Sequence, residues 1–257
     1  MIGTSSNGQN FDLLDSSSVN WREALEHACS NLDALKPVYL PVVQLKERHA
    51  CGYELLARFT GGPAAPPAMW FESAAQLGLT APLERRIMRA GFLTADALPE
   101  GAFVSINITA EALVSKQIQE LFKQRERYDN IVLEISENDT QEPGVAEALT
   151  AFRAGGGRLA VDDIGSGFSN LRDVLTLKPD ILKVDRAIIR GVDRDRVKQA
   201  IVDGLNTMSA RLDIPLLAEG IESREELAEL ERLGVPLGQG YLFGEPSARL
   251  AGEAKAA

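Results

Sequence analysis

The sequence predicts an α/β fold, a TIM-like (β/α)8 barrel with an atypical antiparallel first strand. Three observations lead there. Eight short apolar runs recur between Val38 and Phe243, most of them separated by stretches with helical spacing. Alternating β and α elements imply a largely parallel sheet, and eight such strands in about 220 residues fit a closed barrel. The short, hairpin-like link Lys46–Ala50 suggests that strands one and two run antiparallel.

The elements follow in order. Residues 1–20 are rich in Ser, Asn, Gly and Asp and read as a flexible N-terminal segment; residues 21–36 form an N-terminal helix, with Trp21, Leu25, Ala28, Leu32 and Leu35 on one side. Residues 37–247 hold the barrel, and the Ala-rich tail covers 248–257. Strands are expected at Val38–Leu45, Cys51–Phe59, Ala102–Ile108 and Ile131–Ile135. A Gly/Pro/Ala loop follows the second, and a helical region broken near Gly78 and Pro82 runs to Leu98. Helices are expected over Ala110–Arg125 and Gly144–Ala154, the latter stopped by Gly155-Gly156-Gly157. The strand beginning at Leu159 leads into Gly165-Ser166-Gly167 and a helix start at Ser169. Strand Ile181–Val184, helix Arg194–Leu212 and strand Pro215–Ala218 come next. Ser223 and Glu226 make a capping box for a helix to Leu233, and Leu237–Phe243 is the last strand.

Polar residues break these apolar runs at matching places. Glu54, Asn107, Glu134, Asp162 with Asp163, Lys183, Glu219 and Gln239 lie on or just after strands two to eight, one strand each apart from the aspartate pair. In a barrel of this kind the active site sits at the carboxyl ends of the strands. Any one of these residues alone has a structural explanation, and the aspartate pair alone fits a helix cap with a solvated turn acid equally well. As a set they must meet one another or a metal, because an unpaired buried charge is costly. Adjacent side chains on a strand point to opposite faces, so aiming both aspartates at one site needs a bend, for which Gly165 and Gly167 are the expected source. Carboxylates and an amide without His or Cys select hard cations, Mg²⁺ or Mn²⁺, over zinc.

Composition narrows the remaining classes. A formal net charge of −10 argues against a nucleic-acid groove or an anionic membrane surface as partner. It leaves room for a small anionic substrate where metal ions supply the local positive charge. Cys29 and Cys51 form no zinc pattern and no disulfide framework, which fits a reducing, cytoplasmic setting. No apolar run approaches a membrane span and no signal peptide is visible. His27 and His49 lie outside the polar set, and no G-x-S-x-G elbow is present. Gly165-Ser-Gly167-Phe-Ser-Asn170 lacks the third Gly of a dinucleotide fingerprint.

Seven ordered stretches resemble the EAL-domain family, bacterial phosphodiesterases of cyclic di-GMP. They are Tyr53-Glu-Leu-Leu-Ala-Arg58, Ser105-Ile-Asn-Ile108, Leu133-Glu-Ile-Ser-Glu137, Val161-Asp-Asp-Ile-Gly-Ser-Gly-Phe-Ser169, Leu182-Lys-Val-Asp185, Ala218-Glu-Gly-Ile-Glu222 and Gly238-Gln-Gly-Tyr-Leu-Phe243. The resemblance implies that Glu54, Asn107, Glu134 and Asp162 hold one divalent ion, with Asp162 bridging to a second beside Asp163. It implies that Lys183 and Glu219 orient or deprotonate the attacking water, with Glu54 counted among the catalytic residues. Arg58 would contact a ligand phosphate, Gln239 and Glu222 would be further active-site polar residues, and Glu137 would hold the Gly165–Ser169 loop. Two Mg²⁺ or Mn²⁺ ions suit hydrolysis of cyclic di-GMP to the linear dinucleotide pGpG.

This chain departs from the pattern at three points. Leu40 stands where the family has a nucleotide-contacting Gln, which would cost about 1–3 kcal/mol of binding. Glu54-Leu55-Leu56 has Leu in place of the usual Ala, and Ala75 replaces a common acid. The competing readings are a receptor module that binds cyclic di-GMP with little or no catalysis, and a regulatory domain acting through protein contacts. Retention of the whole ligand set favours the enzyme over both. The resemblance also implies a homodimer, with a sensor or regulatory domain as a possible further part.

Overall fold

The computed structural model describes residues 20–136, 139, 142–165 and 177–250. Eight strands close into a barrel in sequence order: β1 (Leu35–Gln44), β2 (His49–Phe59), β3 (Phe103–Asn107), β4 (Ile131–Ser136), β5 (Arg158–Ile164), β6 (Ile181–Val184), β7 (Leu216–Ala218) and β8 (Leu237–Gln239). Strands β2 to β8 pair in parallel, and β1 runs antiparallel to both β2 and β8. The hairpin therefore forms where the short link predicted it, with Arg48 in the left-handed region at φ 56°. Among the described residues no helix is long and apolar enough to cross a membrane.

β1 accommodates two prolines for a readable reason. Tyr39 exchanges backbone hydrogen bonds with Ser247, on the side away from β2. Pro37 and Pro41 sit two residues to either side, so their missing N–H groups also fall away from β2 and cost it no ladder bond.

Helix ends follow their caps. The first helix, α1 (Trp21–Ser30), is capped by Asn20 and stops at Asn31, shorter than the spacing through Leu35 implied, because β1 already begins at Leu35. The region after the loop breaks at Gly78, φ 68°, into α2 (Pro67–Leu77) and α3 (Thr80–Ala97). Pro82 lies in the first turn of α3, where a missing N–H is harmless. The span expected as one helix over Ala110–Arg125 is two, α4 (Ala110–Val114) and α5 (Lys116–Phe122), because the Ser115 side chain caps the second. α6 (Val145–Ala154) ends at the glycine run. A short α7 (Arg186–Ile189) was not expected; α8 (Arg196–Arg211) and α9 (Arg224–Arg232) follow, the last with both bonds of its capping box. The final strand ends at Gln239 rather than Phe243, and Tyr241–Phe243 turns as a 3₁₀ helix.

Two apolar cores result. The larger lies between the barrel wall and the helices. The smaller fills the barrel itself: Val42, Phe103, Val132, Ala160, Ile181, Leu217 and Leu237, one side chain from each strand but β2. β2 has Gly52 at that level, and a Cβ there would lie 2.5 Å from the Phe103 ring. The absent side chain on β2 is what lets Phe103 cross the lumen. Residues two apart on a strand share a face. The next inward position above each apolar residue is therefore also in the lumen, towards the carboxyl ends of β2–β8.

Candidate active site

That upper layer carries the polar set. Glu54 is two residues beyond Gly52, Glu134 beyond Val132, Asp162 beyond Ala160, Lys183 beyond Ile181, Glu219 beyond Leu217 and Gln239 beyond Leu237. On β3 the corresponding residue is Ser105, and Asn107 stands one step higher at the strand end.

The side chains form one connected network. The Lys183 ammonium meets Glu134 Oε2 at 2.8 Å, Asp162 Oδ2 at 2.9 Å and Glu219 Oε1 at 2.7 Å. Gln239 Nε2 donates to Glu54 Oε2 at 2.7 Å and Glu219 Oε1 at 3.1 Å. Asn107 Nδ2 donates to Glu54 Oε1 at 2.9 Å. Lys183 is 1% and Glu134 2% exposed, against 16% for Asp162 and 15% for Glu219. The network thus has a dry floor and an open rim.

Asp163 reaches the same side as Asp162 by a different route from the one expected. The β5–β6 register shifts between Val161 and Ile164, and Asp163 itself adopts φ 60°. A bulge of this kind re-aims a side chain within a strand. The bend is made by the aspartate, with Gly165 at φ 92° continuing it; Gly167 lies outside the described residues. As a result the carboxylate oxygens of Asp162, Asp163 and Glu219 lie within 4.8 Å of one another.

Electrostatics show a surplus of acid. Five carboxylates surround one ammonium. Burial pushes both Glu134 and Glu219 above the usual carboxylate range, against the pull of Lys183. Burial, the charge of Asp162 and a hydrogen bond shared with Asp185 push Asp163 up to about 6. For Lys183, burial opposes the charge, but the surrounding carboxylates outweigh it and hold the ammonium well above its ordinary range. Surplus negative charge of this kind is neutralised by protons or by cations. The donor set fits the second: all oxygen, no Cys or His, and a buried Gln239 Oε1 with no hydrogen-bond partner among the described residues.

The other expected residues fall around this ring. Leu40 is buried and pairs directly with Glu54 across β1 and β2. Arg58, half-buried, donates to the Ala57 carbonyl and lines a cleft of about 350 Å³ together with Asn107 and Glu134. Glu222 is exposed beyond β7, and its backbone N–H donates to Glu226. Glu137 lies outside the described residues, as does the expected helix start at Ser169.

Three residues to which the sequence assigned no role stand beside the ring. Glu84 is buried on α3 and accepts from Thr109 N at 2.8 Å and Thr109 Oγ1 at 3.2 Å, fixing the loop after Asn107; burial pushes its carboxyl up to about 7. Its signal was present, since Glu84 falls on the buried face of α3 with Ile87, Met88, Gly91 and Ala95. Asp185 flanks Asp163, and the buried Ser105 Oγ has no hydrogen-bond partner among the described residues.

Known proteins share this architecture. The chain is 30% identical over 242 residues to PdeG, a probable cyclic di-GMP phosphodiesterase of Escherichia coli K12, covering 89% of this chain and 48% of PdeG. It therefore spans about half the length of the curated relatives it matches. BlrP1 of Klebsiella pneumoniae, solved at pH 6 as a manganese/cyclic di-GMP complex, superposes with a TM-score of 0.74 at 28% identity, over 84% of this chain and 57% of its own. An EAL domain protein from Listeria monocytogenes EGD-e matches over 91% of this chain and 94% of its own with a TM-score of 0.78; at 24% identity that likeness speaks to the fold. Residues 22–246 match the model of the EAL domain. With the family model covering nearly the whole barrel, the chain belongs to the EAL domain family.

Proposed function

We propose that this domain hydrolyses cyclic di-GMP to the linear dinucleotide pGpG with two divalent cations, Mg²⁺ or Mn²⁺. The observation that supports it best is the converging ring from seven strands, in which five carboxylates outnumber one ammonium between a dry floor and an open rim. Glu54, Asn107, Glu134 and Asp162 would hold one cation. Asp162, Asp163 and Glu219 would hold the other, since their oxygens are mutually close. This reading moves Glu219 from water activation alone into the ligand set. When bound, such cations supply Lewis-acid charge and a nucleophile at neutral pH.

The chain's own residues do the rest. In the reaction a water oxygen bonds to phosphorus, one phosphodiester P–O bond breaks, and the proton ends on the leaving sugar oxygen. Lys183 is locked by three carboxylates, so its ammonium is fixed in place before substrate arrives. Preorganised charge of this kind acts on the charge that develops in the transition state. Glu219, at the rim, would orient the water. Arg58 offers its guanidinium to the second phosphate from the cleft wall. Gln239 holds Glu54 and Glu219 in register with one amide nitrogen. Glu222 and Glu137 would complete the polar surround.

The alternative of a binding module with weak catalysis draws on Leu40, an aliphatic residue paired with Glu54 where the family has a nucleotide-contacting Gln. The test is Glu54→Ala. The proposal expects cyclic di-GMP turnover to fall by about 10³-fold or more while circular dichroism and nucleotide binding persist. Wild-type rates in that variant would remove the assignment of the ring as the hydrolytic site.

A further inference from the structure

The opposite mouth of the barrel carries a second cavity. It has a volume of about 710 Å³ and opens among the amino ends of β2, β3, β5, β6 and β8 and the carboxyl end of β1. Its size lies in the range of small-molecule sites. The apolar layer that includes Phe103, Ile181 and Leu237 separates it from the catalytic ring.

Arg158 is the notable group in this mouth. It is the first residue of β5 and lies two residues below Ala160, so it points inward. Its guanidinium stacks on the Phe103 ring, with Cζ 4.8 Å from the ring centroid. Nε is fully buried and has no hydrogen-bond partner among the described residues. Among the described residues the guanidinium makes no hydrogen bond and no ion pair within 4.0 Å. Asp180 lies near enough for its charge to favour the Arg158 cation, but the hydrogen bonds and close ion pairs of the nearby acids go elsewhere. Asp180 accepts from the Leu159 backbone N–H at 2.8 Å and faces Arg153 at 4.0 Å. Glu231 pairs with Arg48 at 2.6 Å. A planar fork of donors, held flat by an aromatic ring and unmatched by protein acceptors, is the geometry that takes a carboxylate.

We infer that this mouth is a binding site for a small aromatic monocarboxylate, its carboxylate on Arg158 and its ring against Phe103, Ile181 and Leu237. Arg158 is the buried cation of the mouth and its fork takes one carboxylate; Lys46, the other cation of the lining, is outnumbered there by Glu47, Asp180 and Glu231. Asp180, Glu47 and Glu231 around the opening disfavour polyanions such as nucleotides. The apolar walls call for an apolar body. The inference does not depend on the catalytic reading of the other end.

The experiment follows the ¹⁹F NMR signals of 4-fluorobenzoate and the neutral 4-fluorobenzamide with the whole chain, in chelator so that neither can sit on a metal. Saturable binding of the benzoate at millimolar concentration is expected, with the amide at least about tenfold weaker. Arg158→Gln should erase that preference. Arg158→Lys, which keeps the charge and the stem, should weaken the benzoate several-fold and leave cyclic di-GMP turnover unchanged. Excess inorganic phosphate should not displace it. The proposal is overturned by absence of saturable benzoate binding, by equal binding of the two probes, or by a preference that survives Arg158→Gln. Should Arg158→Gln fail to fold, the two probes on the wild type and on Arg158→Lys still decide.

Discussion

Two ends of one barrel lumen are built from the same strands, and neighbours two residues apart do opposite work. On β7, Leu217 is packed in the apolar plug while Glu219 stands in the polar ring; on β6 the pair is Ile181 and Lys183; on β8 it is Leu237 and Gln239. The plug has no polar side chain and excludes water. The ring holds five acids, two amides and an ammonium, several of them buried, and burying such groups is costly unless they are paired. A fold chosen for stability alone would continue the plug upward. The lesson is that stability is concentrated in the lower layer and that the upper layer is held for its chemistry, at some cost in stability.

Substitutions at paired positions sharpen or break that division. The largest effect is expected at Lys183. Lys183→Ala removes the only ammonium in the ring and should lower kcat by about 10²–10³-fold while cyclic di-GMP still binds, because the interaction matters most in the transition state. Measuring kcat and the nucleotide dissociation constant together separates the outcomes: lost binding with preserved kcat would make Lys183 a substrate anchor.

One layer down the pattern should invert. Leu217→Ala, two residues before Glu219, should cost about 2–5 kcal/mol of folding stability by opening a cavity in the plug. Its kcat at a temperature where it remains folded should be near wild type. A collapse of kcat without loss of stability, read from denaturant unfolding and turnover on one preparation, would erase the distinction between the layers.

The smallest effect is expected at Leu40, which pairs with Glu54 but carries no polar group. Leu40→Gln adds an amide beside the ring and should lower KM for cyclic di-GMP by a factor of about five, close to 1 kcal/mol, with kcat little changed. A KM that stays or rises would mean that Leu40 does not face the nucleotide.

Much of this was readable in the sequence. The strands announced themselves through apolar runs, and the ring through polar breaks at matching ends; Lys183 and Gln239 are conspicuous because nothing else interrupts Ile181–Val184 or Leu237–Gln239. What was not readable depends on three-dimensional accommodation. The Asp163 bulge is a backbone event at a non-glycine residue, and the adjacent glycines drew attention away from it. The split at Ser115 turns on a side-chain cap inside a region of continuous helical spacing. Glu84 contributes from a helix far from any motif, through two hydrogen bonds with Thr109 in the loop after Asn107. The grouping of Glu219 with Asp162 and Asp163 joins β5 to the residue just past β7, a distance relation that no linear spacing encodes.

The account rests on the ring being a divalent-cation site, and one titration tests that most directly: the rate of cyclic di-GMP hydrolysis after exhaustive chelation and then with Mg²⁺ or Mn²⁺ returned. The expected result is no turnover after chelation and full recovery with either ion, giving pGpG, with Ca²⁺ failing to restore the rate because its larger, looser shell suits a compact octahedral site poorly. Full activity in the chelated protein would contradict it.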